Sequence, residues 1–519
     1  MLSSARIRQI ATGLLQRQSP RLSRPTGAVA AGAALSLAFP PVDAGWLAPI
    51  PIAALVMLLR GVGAWNGARL GFLAGVAFFG LHLLWTSIFG WVAWVALVVG
   101  MAIPMGALGA GIAALARIRL PAARVIGIAG IWAAAELMRS RFPLGGYPWG
   151  LLGVSQHSVE PARAMAAWVG TVGISALVAA EGALLAEAAQ HVGRFRRAIG
   201  PLIALVALVA LQTAALLTPT GTEEPPLRVA IVQAGVEPGT VPPEDEVPLN
   251  EARHVRSTFE IADEELDLIV WGEDVLDLPR DAEPATLSYL SSTVGIPILG
   301  GYTRRASDIR FENAVGLFDV SGRERQRYLK LRPVPFGEYV PLRRVFGGFP
   351  PLRRQVPLDM LRGRTPVVFR LENGTHVGSL ISFESIFSDL ARQLVERGAE
   401  VLVVNTNNAS FRRSAVSRQH LAADQMRAAE LGRYVVRAAI TGTSAFIDSR
   451  GRVTASLPVF ARGALRGDVR PSERRTVYAR VGEWPVGILA AASVVMTVMH
   501  GRGASTRRPR LPGRLRRRS

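Results

Sequence analysis

The chain of 519 residues contains no cysteine and a single lysine, Lys330. Without cysteine there are no disulfides, no zinc–thiolate sites and no cysteine nucleophile. The other 58 of the 59 Lys and Arg residues are arginine. Arginine is planar and permanently charged, whereas lysine is a compact charge whose pKa responds to burial. The pattern therefore predicts that position 330 needs a small cation.

Histidine is also scarce, with seven in the chain, and no metal-spaced cluster or H-E-x-x-H motif occurs. We therefore expect no metal site. The glycine stretches lack the strand–GxGxxG–helix context, so we expect no nucleotide and no other cofactor. His420 could carry a proton, but a structural histidine is the favoured interpretation.

Positive charge is concentrated at the two ends of the chain. The net charge is +20; five arginines lie within residues 1–24 and eight follow His500, with no acidic residue in either stretch. No aromatic-interleaved basic motif accompanies them, so we expect no nucleic acid partner. Arginine-rich ends beside apolar spans are typical of cytoplasmic anchors facing anionic lipid.

Apolar runs dominate the first 217 residues, and half of the chain is hydrophobic. A helix needs about 20 apolar residues to span a bilayer. Runs of about this length, or slightly shorter, lie at 27–40, 45–60, 68–90, 92–116, 122–139, 162–190, 198–217 and 482–499. Loops after the even-numbered runs are arginine-rich, which favours a cytoplasmic N-terminus, although Arg139, Arg141 and Arg163 break the pattern. Seven spans then place the following block outside, and the eighth returns the tail to the cytoplasm.

Strands alternate with helices between residues 225 and 470. PLRVAIVQAG, ELDLIVWGED, VGIPILGGYT, THVGSLISFES and AEVLVVNTNNAS are typical of strands, and NAVGLFDVSGRERQRYLK of a hairpin. IFSDLARQLVERG and QHLAADQMRAAELGRYVVRA are predicted helices, the second leading to a further hairpin. The block is therefore predicted to be an α/β domain with its chemistry at strand ends.

Three strand-end residues suit acyl transfer: Glu273 as a base, Lys330 as an oxyanion-stabilising cation and Ser382 as a nucleophile. Spacing alone does not single them out, because strand-ending Glu and Ser are mostly caps or surface residues. In the membrane region, Glu136 and Arg139 are spaced to pair on one helix face and could be functional or lie at the helix end. Trp149 in GGYPWG could anchor at the interface or lie at a lipid entrance.

The segments IVWGED, YLKLRPVPFGEYVPL, LISFES, VVNTNNASF and QHLAADQMRAAELGRYVVRAAITGTSAFIDSRGRV resemble the carbon–nitrogen hydrolase (nitrilase) superfamily. Together with the apolar spans and GGYPWG, nearly the whole chain is similar to its membrane branch, the apolipoprotein N-acyltransferases. The resemblance implies a multi-pass α-helical membrane domain carrying an αββα domain outside the cytoplasmic membrane. It implies acyl transfer from a phospholipid to the N-terminal amine of a diacylglyceryl-cysteine lipoprotein, through an acyl-enzyme.

The resemblance also implies residue roles. Glu273 matches the general base, Lys330 the oxyanion-stabilising lysine and Glu338 the second glutamate, while Phe383 and Glu384 follow the nucleophile. Ser382 stands where the family has cysteine, and a serine hydroxyl is a far weaker nucleophile than a thiol. The family's Asn-Asp-Ala-Trp-Phe-Gly run begins here at Asn407 and departs from it at Asn408, Ser410 and Arg412.

Three hypotheses remain open on sequence. The first is an N-acyltransferase working through Ser382, the second a catalytically impaired homologue that binds lipid or lipoprotein as a scaffold, and the third a membrane-tethered amidase. Retention of Glu273, Lys330 and Glu338 favours the first. The predicted organisation is a basic arm (1–26), a seven-span domain (27–219), a nitrilase-like domain (220–475), an eighth span (480–500) and an Arg-rich tail (501–519).

Overall fold

The computed structural model describes residues 23–191, 195–218 and 225–502. Most of the basic arm predicted for residues 1–26, and of the Arg-rich tail predicted for 501–519, lies outside these ranges.

Every apolar run predicted from the sequence is helical. The helices of the first domain are α1 (Arg24–Ser36), α2 (Pro49–Leu59), α3 (Ala64–His82), α4 (Trp91–Leu115), α5 (Pro121–Arg139), α6 (Glu160–Ala164), α7 (Ala166–Ala189) and α8 (Phe195–Ala214). Among the described helices, five are long and apolar enough to cross a membrane: Trp91–Leu115, Pro121–Arg139, Ala166–Ala189, Arg196–Leu217 and Trp484–Gly501. The number of spans therefore stays a prediction.

Helices α3 and α4 pack at very short range because glycines face each other across the contact. A Cβ on Gly71 would lie 2.3 Å from the Met105 carbonyl oxygen, and one on Gly109 would lie 2.3 Å from the Gly67 carbonyl oxygen. Lipid chains are as apolar as the helix surfaces, so the hydrophobic effect contributes little to the association of helices in a membrane. Small residues, which let two helix backbones approach closely, are the usual basis of such packing.

The second domain consists of two stacked sheets with helices on the outside. Its helices are α9 (Pro243–Phe259), α10 (Ala285–Val294), α11 (Arg343–Phe346), α12 (Pro350–Gln355), α13 (Ser388–Glu396), α14 (Val416–Leu431) and α15 (Val477–Val481), and helix α16 (Trp484–Arg502) follows. Its strands are β1 (Leu227–Gln233), β2 (Leu268–Val270), β3 (Leu276–Leu278), β4 (Ile298–Ser307), β5 (Arg310–Phe318), β6 (Glu324–Leu329), β7 (Asp359–Met360), β8 (Val368–Arg370), β9 (His376–Ile381), β10 (Val401–Thr406), β11 (Tyr434–Ala439), β12 (Ser444–Ile447), β13 (Val453–Leu457) and β14 (Gly463–Val469).

The strands that precede the predicted catalytic residues are β2 and β6 of one sheet and β9 of the other. One sheet runs β14-β1-β2-β4-β5-β6, with β3 beside β4 and β7 beside β5, and the other runs β13-β12-β11-β10-β9-β8. Within them β1, β2 and β4 are parallel, as are β9, β10 and β11. Helices α9 and α10 cover the first sheet and α13 and α14 the second, so the domain has the αββα layers that the family resemblance implied.

One predicted helix was too long. The QHLAADQMRAAELGRYVVRA segment is helical only as far as Leu431, where Gly432 adopts a left-handed conformation with φ 64°. Residues Tyr434–Ala439 instead form β11 at the centre of the second sheet. The Tyr-Val-Val run, of one aromatic and two β-branched residues, favours a strand, and glycine favours the helix end that precedes it.

Helix α7 contacts different partners at its two ends. Near its start, Thr171 Oγ1 accepts from Arg427 and donates to Glu430, both on α14, with each distance 2.7 Å. Near its end, Glu187 binds Arg60 and Arg124, which follow α2 and open α5. Sixteen helical residues separate Thr171 from Glu187, or about 24 Å. The αββα domain and the arginine-rich loops therefore lie at opposite ends of the bundle.

A substitution of Gly170, at the kink of α7, would test how the two domains are joined. Its φ of 68° and ψ of 174° suit glycine alone, and a Cβ would lie 2.3 Å from Tyr478 Cε2. We expect Gly170→Ala to lower the free energy of unfolding by about 1–3 kcal/mol. The measurement is Tm in detergent. Gly200→Ala in α8 is the matched control, because open space surrounds that position; an equal Tm change in both variants would contradict the prediction.

Candidate active site

The three predicted catalytic residues lie at the carboxyl ends of strands from both sheets. Glu273 follows β2, Lys330 follows β6 and Ser382 follows β9. Glu273 and Lys330 are nearly inaccessible to solvent, with 3% and 1% exposed, while Ser382 is partly exposed. The candidate base and cation are thus buried, while the candidate nucleophile is partly accessible to solvent.

Lys330 lies between two carboxylates. Its Nζ donates to Glu273 Oε1 at 2.9 Å and to Glu338 Oε1 at 2.5 Å. Glu273 also accepts from Asn313 Nδ2 at 2.8 Å and from the Asn407 backbone N–H at 3.0 Å. The base is therefore held by three partners, one of them the predicted supporting residue Asn407.

The electrostatics of this cluster keep Lys330 charged. Burial alone would lower the pKa of Lys330, but the charges and hydrogen bonds of Glu273 and Glu338 raise it above its usual value. Burial also raises the pKa of Glu338. A protonated ammonium at this position can stabilise an oxyanion formed next to it.

Asp274 adds an acid that the sequence reasoning did not single out. Its backbone has a φ of 56°, and its Oδ1 is buried without a hydrogen-bond partner among the described residues. Burial, followed by the charge of Glu273, raises its pKa well above the usual range. The raised pKa favours the protonated form of Asp274 beside the candidate base. Its only sequence signal was its place directly after Glu273.

Ser382 stands on a strained turn at the end of β9. Its φ of 49° is left-handed, which is uncommon for a residue other than glycine, and a 3-10 helix begins at this residue. Within the described part of the chain, the partner of Ser382 Oγ is Thr406 Oγ1, at 3.1 Å. Glu273 makes no hydrogen bond to Ser382 in this arrangement. The candidate nucleophile, Ser382, is therefore not hydrogen-bonded to the candidate base, Glu273.

Glu384 holds the turn of Ser382 against the strand end that carries Lys330. One carboxylate oxygen accepts from the backbone N–H groups of Leu331 and Arg332 at 2.6 and 2.9 Å. The other accepts from the Ile381 N–H and the Tyr328 hydroxyl, each at 2.8 Å. Four hydrogen bonds to a fully buried carboxylate make Glu384 a positioning residue.

A polar network supports Ser382 from the side of α14. His420 Nε2 lies 3.1 Å from the Ser382 carbonyl oxygen and 2.8 Å from Ser385 Oγ, and its Nδ1 lies 3.2 Å from Arg437. Arginine can only donate, so Nδ1 accepts and Nε2 carries the proton. Burial and then the Arg437 charge hold the pKa of His420 well below its usual value. These contacts favour the structural interpretation of His420.

Arg437 is itself fixed by a buried ion pair. It binds Asp424, and neither side chain has measurable exposure. Arg437 also donates to Asn408 Oδ1 at 2.9 Å. The loop that carries Asn407 and the helix that carries His420 are therefore held by one guanidinium.

An aromatic cluster joins the candidate site to the membrane domain. The Phe383 ring stacks on Tyr147 with centroids 5.7 Å apart, and Tyr147 stacks on Trp149 at 6.2 Å. Trp149 is buried and donates to Gln419 Oε1 at 2.8 Å, and Trp85 donates to the same oxygen at 3.1 Å. Trp149 thus lies where the two domains meet. Gln419 and Trp85 were missed, because their contact joins distant parts of the chain.

The Glu136–Arg139 pair shapes the turn that carries these aromatics. The two side chains lie on one face of α5 as predicted, with an N–O distance of 3.8 Å. Arg139 donates to the carbonyl oxygens of Trp149 and Gly150 at 2.7 Å each, and Glu136 accepts from the Leu152 N–H at 2.8 Å. The pair therefore supports the backbone between Tyr147 and Leu152.

No group of three or more potential metal-ligating side chains occurs among the described residues.

The comparisons with known proteins agree with this division of the chain. Residues 31–184 match the family described as the apolipoprotein N-acyltransferase N-terminal domain, and residues 228–479 match the carbon–nitrogen hydrolase family. An amidase from Nesterenkonia sp. AN1 of known structure is 16% identical, with a TM-score of 0.37, and the alignment covers 52% of this chain and 99% of the amidase. The two family matches alone show that the chain combines a carbon–nitrogen hydrolase domain with a helical N-terminal domain.

Full-length relatives define the family more narrowly. An apolipoprotein N-acyltransferase of Pseudomonas syringae pv. tomato is 30% identical over 89% of this chain and 94% of its own length. The Azotobacter vinelandii protein of the same name is 31% identical over 89% of this chain and 92% of its length. The chain belongs to the apolipoprotein N-acyltransferase family.

Replacing the single lysine tests whether the compact cation is needed. A guanidinium at Lys330 must fit between Glu273 and Glu338 in a space that now holds one nitrogen. If the cation stabilises an oxyanion, we expect Lys330→Arg to slow acyl-enzyme formation about 100- to 1000-fold. The exposed Arg397→Lys is the reciprocal control. Equal rates for the two variants would show that the cluster does not act on substrate.

The raised pKa of Asp274 predicts a pH-dependent contribution to stability. An unfolded aspartate ionises above about pH 4, whereas the raised pKa favours the protonated form in the folded protein, so the contribution of Asp274 to stability falls as pH rises above that value. Asp274→Asn removes this loss. We expect the Tm of the variant relative to the parent to increase with pH above about 4 and to be constant below it. A difference that does not change with pH would contradict the raised pKa.

Proposed function

We propose that this protein transfers an acyl chain from a phospholipid to the N-terminal amine of a diacylglyceryl-cysteine lipoprotein, through an acyl-enzyme on Ser382. The observation that carries the proposal is the position of Lys330, buried between Glu273 and Glu338 at the strand ends that meet Ser382. The names of the full-length relatives supply the acceptor class, an apolipoprotein.

The reaction would proceed in two half-reactions. Ser382 Oγ attacks the phospholipid ester carbonyl, its proton passes to Glu273, and Lys330 stabilises the oxyanion. Collapse expels the lysophospholipid alkoxide, which takes the proton from Glu273, and leaves an oxygen ester on Ser382. The lipoprotein amine then attacks that ester, forms the amide and returns the proton to Ser382 through Glu273.

For this sequence the Ser382 hydroxyl must move from Thr406 to Glu273, since Thr406 is its present partner. A carboxylate has lone pairs beyond those used by Lys330, Asn313 and Asn407, so Glu273 can accept this further bond. Hydrogen bonds of this kind often form only once substrate is bound.

We also propose a location for this chemistry. Loops containing Arg60 and Arg124 meet at the end of α7 remote from the αββα domain. Arginine-rich loops face the cytoplasm. The candidate site would then lie on the outer side of the cytoplasmic membrane, with both termini inside, where lipoproteins and phospholipid both reach it.

A second function is supported by a specific observation. The Ser382 hydroxyl is a weak nucleophile, and it is hydrogen-bonded to Thr406 rather than to Glu273. A homologue that binds lipid or lipoprotein without transferring acyl groups is consistent with this geometry.

Incubation of the purified protein with phospholipid carrying a labelled acyl chain separates the two functions. We expect label on the parent protein that resists neutral hydroxylamine, as an oxygen ester does, and no label on Ser382→Ala or Glu273→Gln. Ser382→Cys should label faster, because thiols are stronger nucleophiles, and its thioester should be released by neutral hydroxylamine.

The outcomes are distinct. Label on Ser382→Cys but none on the parent protein would show an intact site without a competent nucleophile and would support the binding function. An absence of label on both proteins would contradict acyl transfer at this site altogether.

A further inference from the structure

The segment from residue 342 to residue 364, named here the arginine segment, carries an unusual surface. It contains six arginines and a single acidic residue, Asp359, which pairs with Arg343. The side chains of Arg344, Arg353, Arg354, Arg362 and Arg364 make no hydrogen bond or ion pair with any described residue. Uncompensated charge of one sign on a short segment attracts anionic partners.

Apolar side chains are exposed on the same segment. Leu342 and Val345 are 71% and 69% exposed, and Phe346 and Phe349 are 44% and 57% exposed. Elsewhere in the described αββα domain, large exposed apolar residues occur singly along the sequence, whereas these four lie within eight residues. Apolar side chains flanked by arginine are typical of a segment that lies in the lipid headgroup region.

The arginine segment starts at the wall of the candidate site. Glu338, which binds Lys330, lies four residues before it, and the Glu338 carbonyl oxygen accepts from the Met360 N–H at 2.8 Å. The Phe346 ring contacts Phe336 with centroids 6.2 Å apart. Two short helices, α11 and α12, therefore project from a base that is fixed to the catalytic cluster.

The opposite wall of the site is close to the membrane domain. Phe383, next to Ser382, stacks on Tyr147, in the turn that follows α5. In the same turn Phe142 and Leu144 are 70% and 50% exposed. Exposed apolar side chains thus occur both on the arginine segment and on the turn that follows α5, and each of these elements contacts a residue of the candidate site.

We infer that the arginine segment docks on the anionic headgroups of the bilayer surface, with Val345 and Phe349 entering the acyl region and Arg344, Arg353 and Arg354 binding phosphate oxygens. Its charge selects anionic phospholipid over zwitterionic phospholipid beside the site. The inference does not rest on acyl transfer, because docking requires neither Ser382 nor turnover.

The absence of cysteine permits a direct test on the whole protein. Val345→Cys provides the only thiol, and a nitroxide attached there reports by EPR whether it collides with oxygen in lipid or with a water-soluble nickel complex. Tyr289→Cys on α10 is the matched control, with 62% exposure compared with 69% for Val345. The labelled proteins are reconstituted into phosphatidylcholine bilayers with and without phosphatidylglycerol.

We expect the label at 345 to become accessible to oxygen and protected from nickel when phosphatidylglycerol is present, and the label at 289 to stay in water in both bilayers. Each arginine near an anionic surface strengthens attraction about fivefold. Combining Arg344→Gln, Arg353→Gln and Arg354→Gln should therefore weaken docking about a hundredfold, and high salt should do the same. These arginines are exposed, so an unchanged Tm will show that folding is intact.

Three results would overturn the inference. They are a label at 345 that remains in water in both bilayers, a response to phosphatidylglycerol that survives the three arginine replacements, and protection that appears only when a lipoprotein peptide is added. The last result would assign the surface to the acceptor. Loss of acyl transfer alone has no bearing on the result, since the EPR measurement detects position and not turnover.

Discussion

The buried ammonium of Lys330 is the interaction on which the candidate site depends. Glu273 and Glu338 both bind it, and burial and the charge of Glu273 raise the pKa of the neighbouring Asp274. Removing the ammonium would leave two buried carboxyl groups without a counter-charge, which is costly in a low-dielectric interior. One point charge therefore links β6, the end of β2 and the base of the arginine segment.

Helix α14 connects the candidate site to the membrane domain. Its first turns carry Gln419, which binds Trp149 and Trp85, and His420, which supports the backbone of Ser382. Its last turn binds Thr171 on α7. A single buried helix thus fixes the strained serine turn relative to the membrane domain. A displacement of α7 or of the Tyr147 turn would change the position of the nucleophile relative to Glu273.

The parts of the fold that could be predicted from sequence are those written in local patterns. The apolar runs are all helical, and the β-branched runs form buried strands, because each pattern needs only its own residues to bury a face. The overextended helix before Tyr434 shows the limit: a left-handed Gly432 and tertiary pairing with β10 outweighed the helical pattern. Glu273, Lys330 and Ser382 were predicted because their surrounding motifs are recognisable.

The remaining site contacts join residues far apart in the sequence. Asn313 reaches Glu273 from β5, and Glu384 reaches Tyr328 and Leu331 across the sheets. No periodicity encodes such pairs, and a single sequence carries no covariation between them. Asp274 had a local signal, its place beside Glu273, but its raised pKa follows from burial, which the sequence does not reveal.

The energetics of buried charge bear on why the cluster persists with serine as the nucleophile. An ion pair removed from water recovers little of its desolvation cost, and well-packed apolar residues often replace such pairs without loss of stability. The Asp424–Arg437 pair has a structural role, because Arg437 also holds Asn408 and His420. Lys330 makes its described side-chain hydrogen bonds with Glu273 and Glu338, which need a counter-charge as long as both are present. The proposed stabilisation of an oxyanion beside Ser382 would give this solitary lysine a second role, for which a compact cation suits better than arginine.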